Sequence, residues 1–306
     1  MFKNILLIAS IFFHFAAFLI AQEKSTISFS FDDGNTKNIL NFENAEWNQM
    51  ILDNLNKHNL QAIFYICGKG IDNDEGKKLL EKWNNAGHLI ANHTYSHLNY
   101  NKKEVSYNFL KEDILKCDSL INNYKNYAKF FRAPFLKNGD TEEKRDSLIS
   151  FLIKTNYKNG YVTIDNSEWY YNSKLIQALK KDPNLNLDIY RKAYIQHLLE
   201  QAKYYDNLAF EILGRKIKHS ILLHHNLTSA LFLTDLIEAF KNDGWNVINA
   251  SEALKDEVYK KKINILPAGE SIIWSLAKET GKYDDILRYP GEDSIYEEEK
   301  LKKLGL

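Results

Sequence analysis

The sequence is poor in cysteine, since its 306 residues include only Cys67 and Cys117. Two thiols cannot cross-link a chain of this length, which excludes a small disulfide-stabilised scaffold. Cys67 ends an apolar run, and Cys117 lies in a helical pattern. We therefore expect both cysteines to pack as small buried hydrophobic side chains.

The chain also lacks an excess of charge of either sign, because 40 Lys and Arg residues balance 40 Asp and Glu residues. A neutral chain without a basic stripe is not expected to bind nucleic acid. The sequence has no internal repeat and no low-complexity linker. Nothing in it implies a stable protein partner.

Only one long apolar run is present, and it lies near the start of the sequence. Residues 5–20 are apolar apart from Ser10 and His14, and Lys3 precedes them. This pattern is typical of a secretory signal, so we expect residues 1–22 to be cleaved and the protein to be secreted or periplasmic. An uncleaved membrane anchor is the alternative. No later run is long enough for a second span.

Most of the remaining sequence alternates short apolar runs with longer amphipathic ones, from about residue 26 to residue 254. This alternation predicts an α/β fold with parallel strands joined by helices. About seven such units indicate a barrel or near-barrel. The alternation stops after about residue 260. We expect residues 259–306 to form a short C-terminal extension packed on the barrel, not a separate domain.

Ionisable side chains follow five of the predicted strands, which we place at residues 26–31, 88–91, 130–131, 161–164 and 219–223. In strand order, these side chains are Asp32 and Asp33, His93 and His97, Arg132, Asp165 and Glu168, and His224 and His225. The carboxyl ends of parallel strands meet at one rim, where active sites of such folds lie. A turn or a surface histidine explains any one placement, but not all of them together.

Two segments on this rim suit a divalent metal. Ser30-Phe31-Asp32-Asp33-Gly34 offers two adjacent carboxylates, and His93-Thr94-Tyr95-Ser96-His97 offers two imidazoles four residues apart. One carboxylate and two imidazoles are a ligand set that zinc accepts. The second carboxylate is then free to take a proton from water that the metal activates. The pattern therefore predicts metal-assisted hydrolysis.

The motifs Ser-Phe-Asp-Asp-Gly, His-Thr-x-x-His, Arg-x-Pro-Phe, Asp-x-x-Glu-Trp and Leu-Leu-His, in this order, resemble the polysaccharide deacetylases of the NodB-homology type, carbohydrate esterase family 4. The resemblance covers about residues 26–254. It implies a distorted (β/α)7 barrel, with the catalytic domain over residues 23–258. It also implies a hydrolase that uses a divalent metal, with Zn²⁺ expected, to remove acetyl groups from N-acetylated or O-acetylated sugars of a polysaccharide or oligosaccharide.

The resemblance assigns roles to the residues of the first three motifs. Asp33, His93 and His97 match the metal ligands of the family. Asp32 matches the general base, which accepts a proton as water attacks the acetyl carbon. Arg132 matches the arginine that holds this base.

The resemblance assigns further roles to the last three motifs. His224 matches the general acid that protonates the departing sugar atom, and the carboxylate of Glu168 is expected to pair with it. The backbone N–H of Phe135 is expected to stabilise the oxyanion. Trp169 and Leu222 are expected to line the pocket for the acetyl methyl group.

The chain departs from the family pattern at two positions. Glu168 stands where the family usually has Asp. Its side chain is one methylene longer, so the surrounding structure must compensate for the changed distance to His224. His225 stands where the family often has Asp, which makes it a second candidate acid, although the motif alignment favours His224. We interpret His88 as structural, because its place on the predicted strand points it away from the metal.

Other functions fit parts of the sequence. The same barrel and metal could open a cyclic amide or release an acetyl ester from xylan. A secreted carbohydrate-binding protein with impaired catalysis is suggested only by Glu168. A structural or adhesive secreted protein leaves the ionisable rim unexplained.

Overall fold

The structure, a computed structural model, describes residues 24–288 and 294–306. The expected signal segment, residues 1–22, lies outside the described residues. Within these two ranges, no helix is both long enough and apolar enough to cross a membrane.

A curled sheet of parallel strands forms the centre of the molecule. The strands of the described residues are β1 (Thr26–Asp33), β2 (Ile63–Ile66), β3 (Leu89–Asn92), β4 (Tyr127–Phe131), β5 (Lys137–Gly139), β6 (Lys158–Asn159), β7 (Lys218–His224), β8 (Asn246–Val247) and β9 (Ala268–Gly269). The main sheet has the order β6-β4-β3-β2-β1-β7, with β8 also beside β1, and its pairs are parallel. Strands β5 and β9 form a separate antiparallel ribbon.

Helices surround the sheet, as the alternating pattern predicts. They are α1 (Asn44–Lys57), α2 (Gly68–Ile71), α3 (Asp74–Asn85), α4 (Tyr107–Ile121), α5 (Glu142–Lys154), α6 (Glu168–Lys181), α7 (Asp188–Leu213), α8 (Leu227–Asn242), α9 (Ala250–Ala253), α10 (Ile272–Thr280) and α11 (Ile295–Lys303). In α1, Trp47, Ile51 and Leu55 recur at four-residue spacing and are fully buried. This spacing gives the helix one apolar face toward the core.

The register of the sheet brings the strand ends to one level. Asp32 of β1 lies opposite Tyr65 of β2 and His224 of β7. Both faces of β1 are buried, as expected for a central parallel strand, with apolar side chains on one face and Ser28, Ser30 and Asp32 on the other. The two aspartates belong to β1 itself, so the strand is longer than the predicted 26–31.

The predicted strand at residues 161–164 is wrong. The chain pairs with β4 at Lys158–Asn159 and then makes a single bridge, from Ile164 to Ile221 of β7. Residues 158–164 therefore cross from one edge of the sheet to the other and close it irregularly. The β-branched residues of this segment do give a strand-like pattern. However, the carbonyl groups of Val162 and Thr163 bond to the C-terminal part of the chain instead. The expected fold class, a distorted (β/α)7 barrel, is confirmed.

The described part of residues 259–306 packs on the barrel. Strand β9 pairs with β5, and helix α10 contacts α7. Ile272 and Ile273 of α10 and Leu301 of α11 are buried. These contacts agree with an extension that packs on the barrel, while the domain boundaries stay predictions. Cys67 and Cys117 are not joined by a disulfide. Cys117 is fully buried, as expected, whereas Cys67 is only half-buried, so the expectation is wrong for Cys67.

Candidate active site

A cavity of about 530 Å³ opens at the carboxyl ends of the central strands. Its lining residues are Asp32, Asp33, His93, His97, Asn99, Phe135, Leu136, Lys137, Asp165, Asn166, Trp169, Leu222 and His224. The cavity thus collects side chains that are up to 192 positions apart in the sequence, because parallel strands end at the same rim.

Asp33, His93 and His97 form a compact cluster in this cavity. One ligand atom from each residue lies within 4.8 Å of the others. Asp33 Oδ1 is 3.2 Å from His97 Nε2 and 3.7 Å from His93 Nε2. This oxygen is buried, and no group among the described residues hydrogen-bonds it. A buried oxygen without a partner, facing two imidazole nitrogens, fits a bound cation.

The protonation of the cluster also suits a metal. His93 Nδ1 lies 2.9 Å from the carbonyl oxygen of Arg132 and must donate to it, which leaves Nε2 as the lone-pair nitrogen toward Asp33. Burial lowers the pKa of His93 to about 4, so the ring is neutral. Burial would raise the pKa of Asp33, but the contact with His97 and the positive charge of His224 outweigh it. The pKa of Asp33 therefore lies well below its ordinary range.

Asp113 of α4 stabilises the loop that carries the two histidines. Its carboxylate accepts hydrogen bonds from the N–H groups of Tyr95 and Ser96 and from the Ser96 hydroxyl, at 2.8 to 3.1 Å. Thr94 and His97 have positive φ angles of 65° and 54°. Such backbone is unfavourable for residues with a side chain. The Asp113 contacts stabilise it and fix the direction of the two rings.

Asp32 is buried behind the cluster and is held by Arg132. The guanidinium donates from Nη1 to Asp32 Oδ1 at 2.5 Å and from Nη2 to the Ser30 hydroxyl at 3.0 Å. A third bond runs from Nε to the carbonyl oxygen of Gly160 at 2.8 Å, and the guanidinium stacks 3.9 Å above the ring of Tyr65. The second oxygen of Asp32, Oδ2, stays 3.6 Å from His93 Nε2 and faces the cluster. The base carboxylate thus has a fixed orientation.

His224, whose side chain is about a quarter exposed, and the buried Glu168 form a second pair at the cavity. His224 Nδ1 lies 2.8 Å from Glu168 Oε2. The other oxygen, Oε1, accepts from Asn226 Nδ2 at 2.6 Å and from the Thr228 hydroxyl at 2.9 Å. Burial would lower the pKa of His224, but the hydrogen bond and charge of Glu168, and then the charges of Asp33 and Asp32, raise it to about 9. His224 is therefore protonated at neutral pH.

Comparison with known proteins places the segment that holds the first three motifs in a family. Residues 20–148 match the family model described as polysaccharide deacetylase. The chain contains a polysaccharide deacetylase domain of the NodB type. The family suggested by the five motifs is therefore confirmed.

Two curated relatives are deacetylases by name. The peptidoglycan-N-acetylglucosamine deacetylase of Bacillus cereus is 29% identical over 154 residues, which cover 50% of each protein. The bifunctional xylanase/deacetylase of Pseudobutyrivibrio xylanivorans is 24% identical over 261 residues, which cover 84% of this chain and 34% of the relative. The chain thus spans half or less of the length of these relatives.

Solved structures share the fold of the deacetylase domain. The peptidoglycan deacetylase PdaC of Bacillus subtilis superposes with a TM-score of 0.51 at 19% identity, over 78% of this chain and 92% of that chain. A mutant of a CE4-family pseudoenzyme with restored enzymatic activity gives a TM-score of 0.50 at 20% identity, over 76% of this chain and 68% of that one.

The second candidate acid, His225, lies outside the cavity of the deacetylase domain. Its ring packs against Trp47 and Phe64, with ring centroids 4.4 Å and 5.0 Å away. Its Nδ1 accepts the N–H of Asn35 at 3.1 Å, and Nε2 donates to Asn48 Oδ1 at 2.9 Å. Burial lowers the pKa of His225 to about 3. This geometry favours His224 as the acid.

The three expected pocket residues do line the cavity. Phe135 and Trp169 are half-exposed, with 55% and 42% of their surface open, whereas Leu222 is buried. The Phe135 ring is 4.7 Å from that of His97. His88 lies elsewhere. It accepts the N–H of Ala62 at 3.2 Å, and its ring contacts that of Trp83 at a tilt of 59°. The structure thus brings the residues matched by the resemblance together around one cavity and leaves His225 outside it, while their chemical roles stay predictions.

Sequence reasoning missed Asn99, Leu136, Lys137 and Asn166 as cavity residues. Asn166 directly follows Asp165, which is predicted to lie at the rim because it comes after a predicted strand. The same position relative to the strand would have predicted Asn166 as well. No comparable signal marks Asn99, which lies in a loop, or Lys137, which begins the three-residue strand β5. Lys137 forms an ion pair with Glu270, from the C-terminal extension. A partner 133 residues away is not visible in a local pattern.

Proposed function

We propose that the protein is a metal-dependent hydrolase that removes acetyl groups from the sugars of a polysaccharide. One observation supports this most. A single cavity combines the Asp33, His93 and His97 cluster, the adjacent carboxylate of Asp32 and the protonated imidazole of His224. A sugar-binding surface has no need of a fixed base beside a metal site and an acid opposite it.

Asp33, His93 and His97 would hold a divalent cation, for which we propose Zn²⁺. Three protein ligands of this type leave coordination positions open, as catalytic zinc requires. The cation, when bound, would polarise the acetyl carbonyl and lower the pKa of water at the site.

The remaining residues would handle the protons and the charge. Asp32, oriented by Arg132, would accept a proton as water attacks the acetyl carbon. His224, kept protonated by Glu168, would donate a proton to the departing sugar nitrogen. The backbone N–H of Phe135 would stabilise the oxyanion. Trp169 and Leu222 would surround the acetyl methyl group.

The form of the surface beside the cavity favours a glycan chain as substrate. A second depression of about 380 Å³ shares His97, Asn99 and Phe135 with the first. It carries the exposed ring of Phe109 together with Lys102 and Glu104, whose charges cancel. The exposed aromatic rings of Phe109 and Phe135 offer apolar faces on which a pyranose ring would pack. The names of the relatives point to N-acetylglucosamine glycans and to acetylated xylan as the substrates to test.

We also propose that the protein acts outside the cytoplasm, after cleavage near residue 22. The support for this is the sequence pattern of residues 1–22. Expression of the full chain in a bacterium, followed by fractionation and N-terminal sequencing, tests it. Full-length protein that stays with the membrane fraction would favour the uncleaved anchor.

The function is tested by acetate release from a panel of N- and O-acetylated glycans, with and without a chelator. We expect about one divalent metal per chain, loss of activity with chelator and recovery on adding Zn²⁺. Asp32→Asn is expected to keep the metal but lose nearly all turnover, whereas His93→Ala loses both. A protein without bound metal that gains nothing from Zn²⁺ would count against the proposal.

An impaired carbohydrate-binding protein is the second candidate, because Glu168 replaces the usual Asp and one structural neighbour derives from a pseudoenzyme. The 2.8 Å contact between Glu168 and His224 argues for the enzyme, since the longer side chain still reaches its partner. Binding of glycans without acetate release, in protein that holds its metal, would favour the second candidate. Hydrolysis of cyclic amides should be assayed in the same experiments, because it tests the alternative that the cavity opens a cyclic amide.

A further inference from the structure

The cavity wall at Phe135 has an unusual backbone. Phe135 and Leu136 are consecutive residues with positive φ angles, 55° and 58°. The left-handed region is unfavourable for residues with a side chain, and it persists only where the surroundings hold it. Both residues line the cavity. The contacts that hold this segment therefore bear directly on the site.

Those contacts come largely from the C-terminal extension. The N–H of Glu270 donates to the carbonyl oxygen of Leu136 at 3.0 Å. Strand β9 pairs with β5, with Gly269 opposite Lys137. The Glu270 carboxylate forms an ion pair with Lys137, and both side chains are mostly buried. A backbone bond, a strand pair and a charge pair thus hold the residues that directly follow Phe135.

Glycine is required at the centre of this arrangement. Gly269 has a φ of 142°, and a Cβ atom there would lie 2.1 Å from the Leu136 carbonyl oxygen. Any side chain would push the extension away from the cavity wall. The extension cannot simply shift to make room, because the Ser271 hydroxyl donates to the Thr163 carbonyl at 3.0 Å and the Ile272 N–H to the Val162 carbonyl at 2.9 Å.

We propose that residues 268–270 form a clamp that positions Phe135 for the reaction. Gly269 and Glu270 are then positioning residues, which act on the substrate only through the Phe135–Lys137 segment. The inference rests on the proposed function, in which the Phe135 N–H stabilises the oxyanion. It extends that function, because it makes the extension a working part of the active site.

The test compares two Gly→Ala variants of the full chain. Gly269→Ala disrupts the clamp. Gly281→Ala is the matched control, since Gly281 lies in the same extension, also has a positive φ of 66°, and has open space where a Cβ would be. Two quantities are measured for each variant: amide hydrogen exchange of residues 133–139, and kcat and KM for acetate release.

We expect Gly269→Ala to speed amide exchange in residues 133–139 at least tenfold and to lower kcat about 10- to 100-fold, with KM changed less than threefold. Bound metal should stay at the wild-type level. Gly281→Ala should leave both quantities within twofold. Unchanged exchange in Gly269→Ala would overturn the clamp, and faster exchange with unchanged kcat would overturn its role in the reaction.

Glu270→Gln provides a second variant in case Gly269→Ala does not fold. It keeps the backbone bond to Leu136 and removes only the charge pair with Lys137. We expect a smaller change in the same direction, about threefold in exchange and kcat, and a return toward wild type in Glu270→Asp. Wild-type values for Glu270→Gln in both assays would contradict the proposal. If the wild-type protein releases no acetate, the proposed function fails, while hydrogen exchange still decides the clamp.

Discussion

His224 and His225 are neighbours at the end of β7, but their rings lie on opposite sides of the strand. The ring of His224 faces the cavity and contacts the carboxylate of Glu168. The ring of His225 lies in the core between α1 and the sheet, beside Trp47 and Phe64. Successive side chains of a strand alternate in direction, so adjacency in sequence implies different surroundings.

The difference shows what burial does to a histidine. The ring of His225 is buried and that of His224 is half-buried, and loss of water contact favours the neutral form in each. The pKa of His225 falls to about 3, because its nearest partners are amide groups without charge. The pKa of His224 rises to about 9, because Glu168 is in contact and Asp33 and Asp32 are near. The contact with the buried Glu168 carboxylate is therefore what keeps His224 protonated, as a general acid must be, while His225 stays neutral and structural.

The largest effect that we predict comes from removing the acid. His224→Gln is expected to lower kcat by about 10² to 10⁴, the range for loss of a general acid. The bound metal should change little. The measurement is acetate release on the best substrate of the panel. Retention of more than a tenth of wild-type kcat would show that His224 is not the acid.

His225→Ala should have the opposite pattern of effects: a large loss of stability and little change in kcat. The substitution leaves the Asn35 N–H without its acceptor and opens a cavity beside Trp47. We expect the free energy of unfolding to fall by about 2–4 kcal/mol. Denaturant unfolding measures this loss. The kcat of the folded protein should stay within threefold, and a kcat as low as that of His224→Gln would reverse our assignment of the two residues.

The sequence was sufficient for the parts of the site that depend on strand ends. Asp33, His93 and His97 could be grouped because each stands at or just after an apolar run, and parallel strands bring such positions together. The choice of His224 over His225 could be made only by motif alignment. The pattern at the end of β7 does not say which side of the strand faces the cavity.

Contacts between distant segments could not be predicted. Asp113 supports the loop of His97 from helix α4, and Glu270 supports Lys137 from the extension. Neither contact leaves a local pattern in the sequence. The wrong strand at residues 161–164 has the same origin, because the carbonyl groups of Val162 and Thr163 are taken by residues of the extension.

Glu168→Gln should sharpen the comparison by making the surroundings of His224 more like those of His225. A general acid must be protonated, so activity falls as pH rises through the pKa of His224. Without the charge of Glu168 that pKa drops below its value of about 9, and the alkaline limb of the pH–kcat profile moves to lower pH. We expect a shift of about one unit or more, equivalent to about 1.4 kcal/mol. An unmoved limb would show that another group sets it.

Glu168→Gln should also change how the free energy of unfolding depends on pH, which can be measured without a substrate. The pKa of His224 in the folded protein, about 9, lies above its ordinary value of 6.5. Its contribution to stability is therefore fully present below about pH 6.5 and is lost as pH rises through 9. The free energy of unfolding of the wild type should decline over this window more steeply than that of Glu168→Gln. Parallel curves would contradict the pairing of His224 with Glu168.

The smallest effect that we predict concerns the groups that hold Glu168. Thr228→Val removes the hydroxyl that lies 2.9 Å from Glu168 Oε1, while Asn226 and His224 still fix the carboxylate. A carboxylate with one donor fewer holds the proton of His224 more strongly, so the alkaline limb should move to higher pH, by about 0.5 unit or less. The free energy of unfolding should fall by about 1 kcal/mol.

Thr234→Val is the matched control, because Thr234 lies on the same helix, α8, and its hydroxyl bonds to Asn54 instead. It should cost a similar free energy of unfolding and leave the pH profile in place. The decisive quantity is the sign of the shift in Thr228→Val. Loss of the carboxylate charge and loss of a donor to it act on His224 in opposite directions. A shift to lower pH would mean that Thr228 mainly orients Glu168, and that the distance between Glu168 and His224, not the charge alone, makes His224 and His225 different.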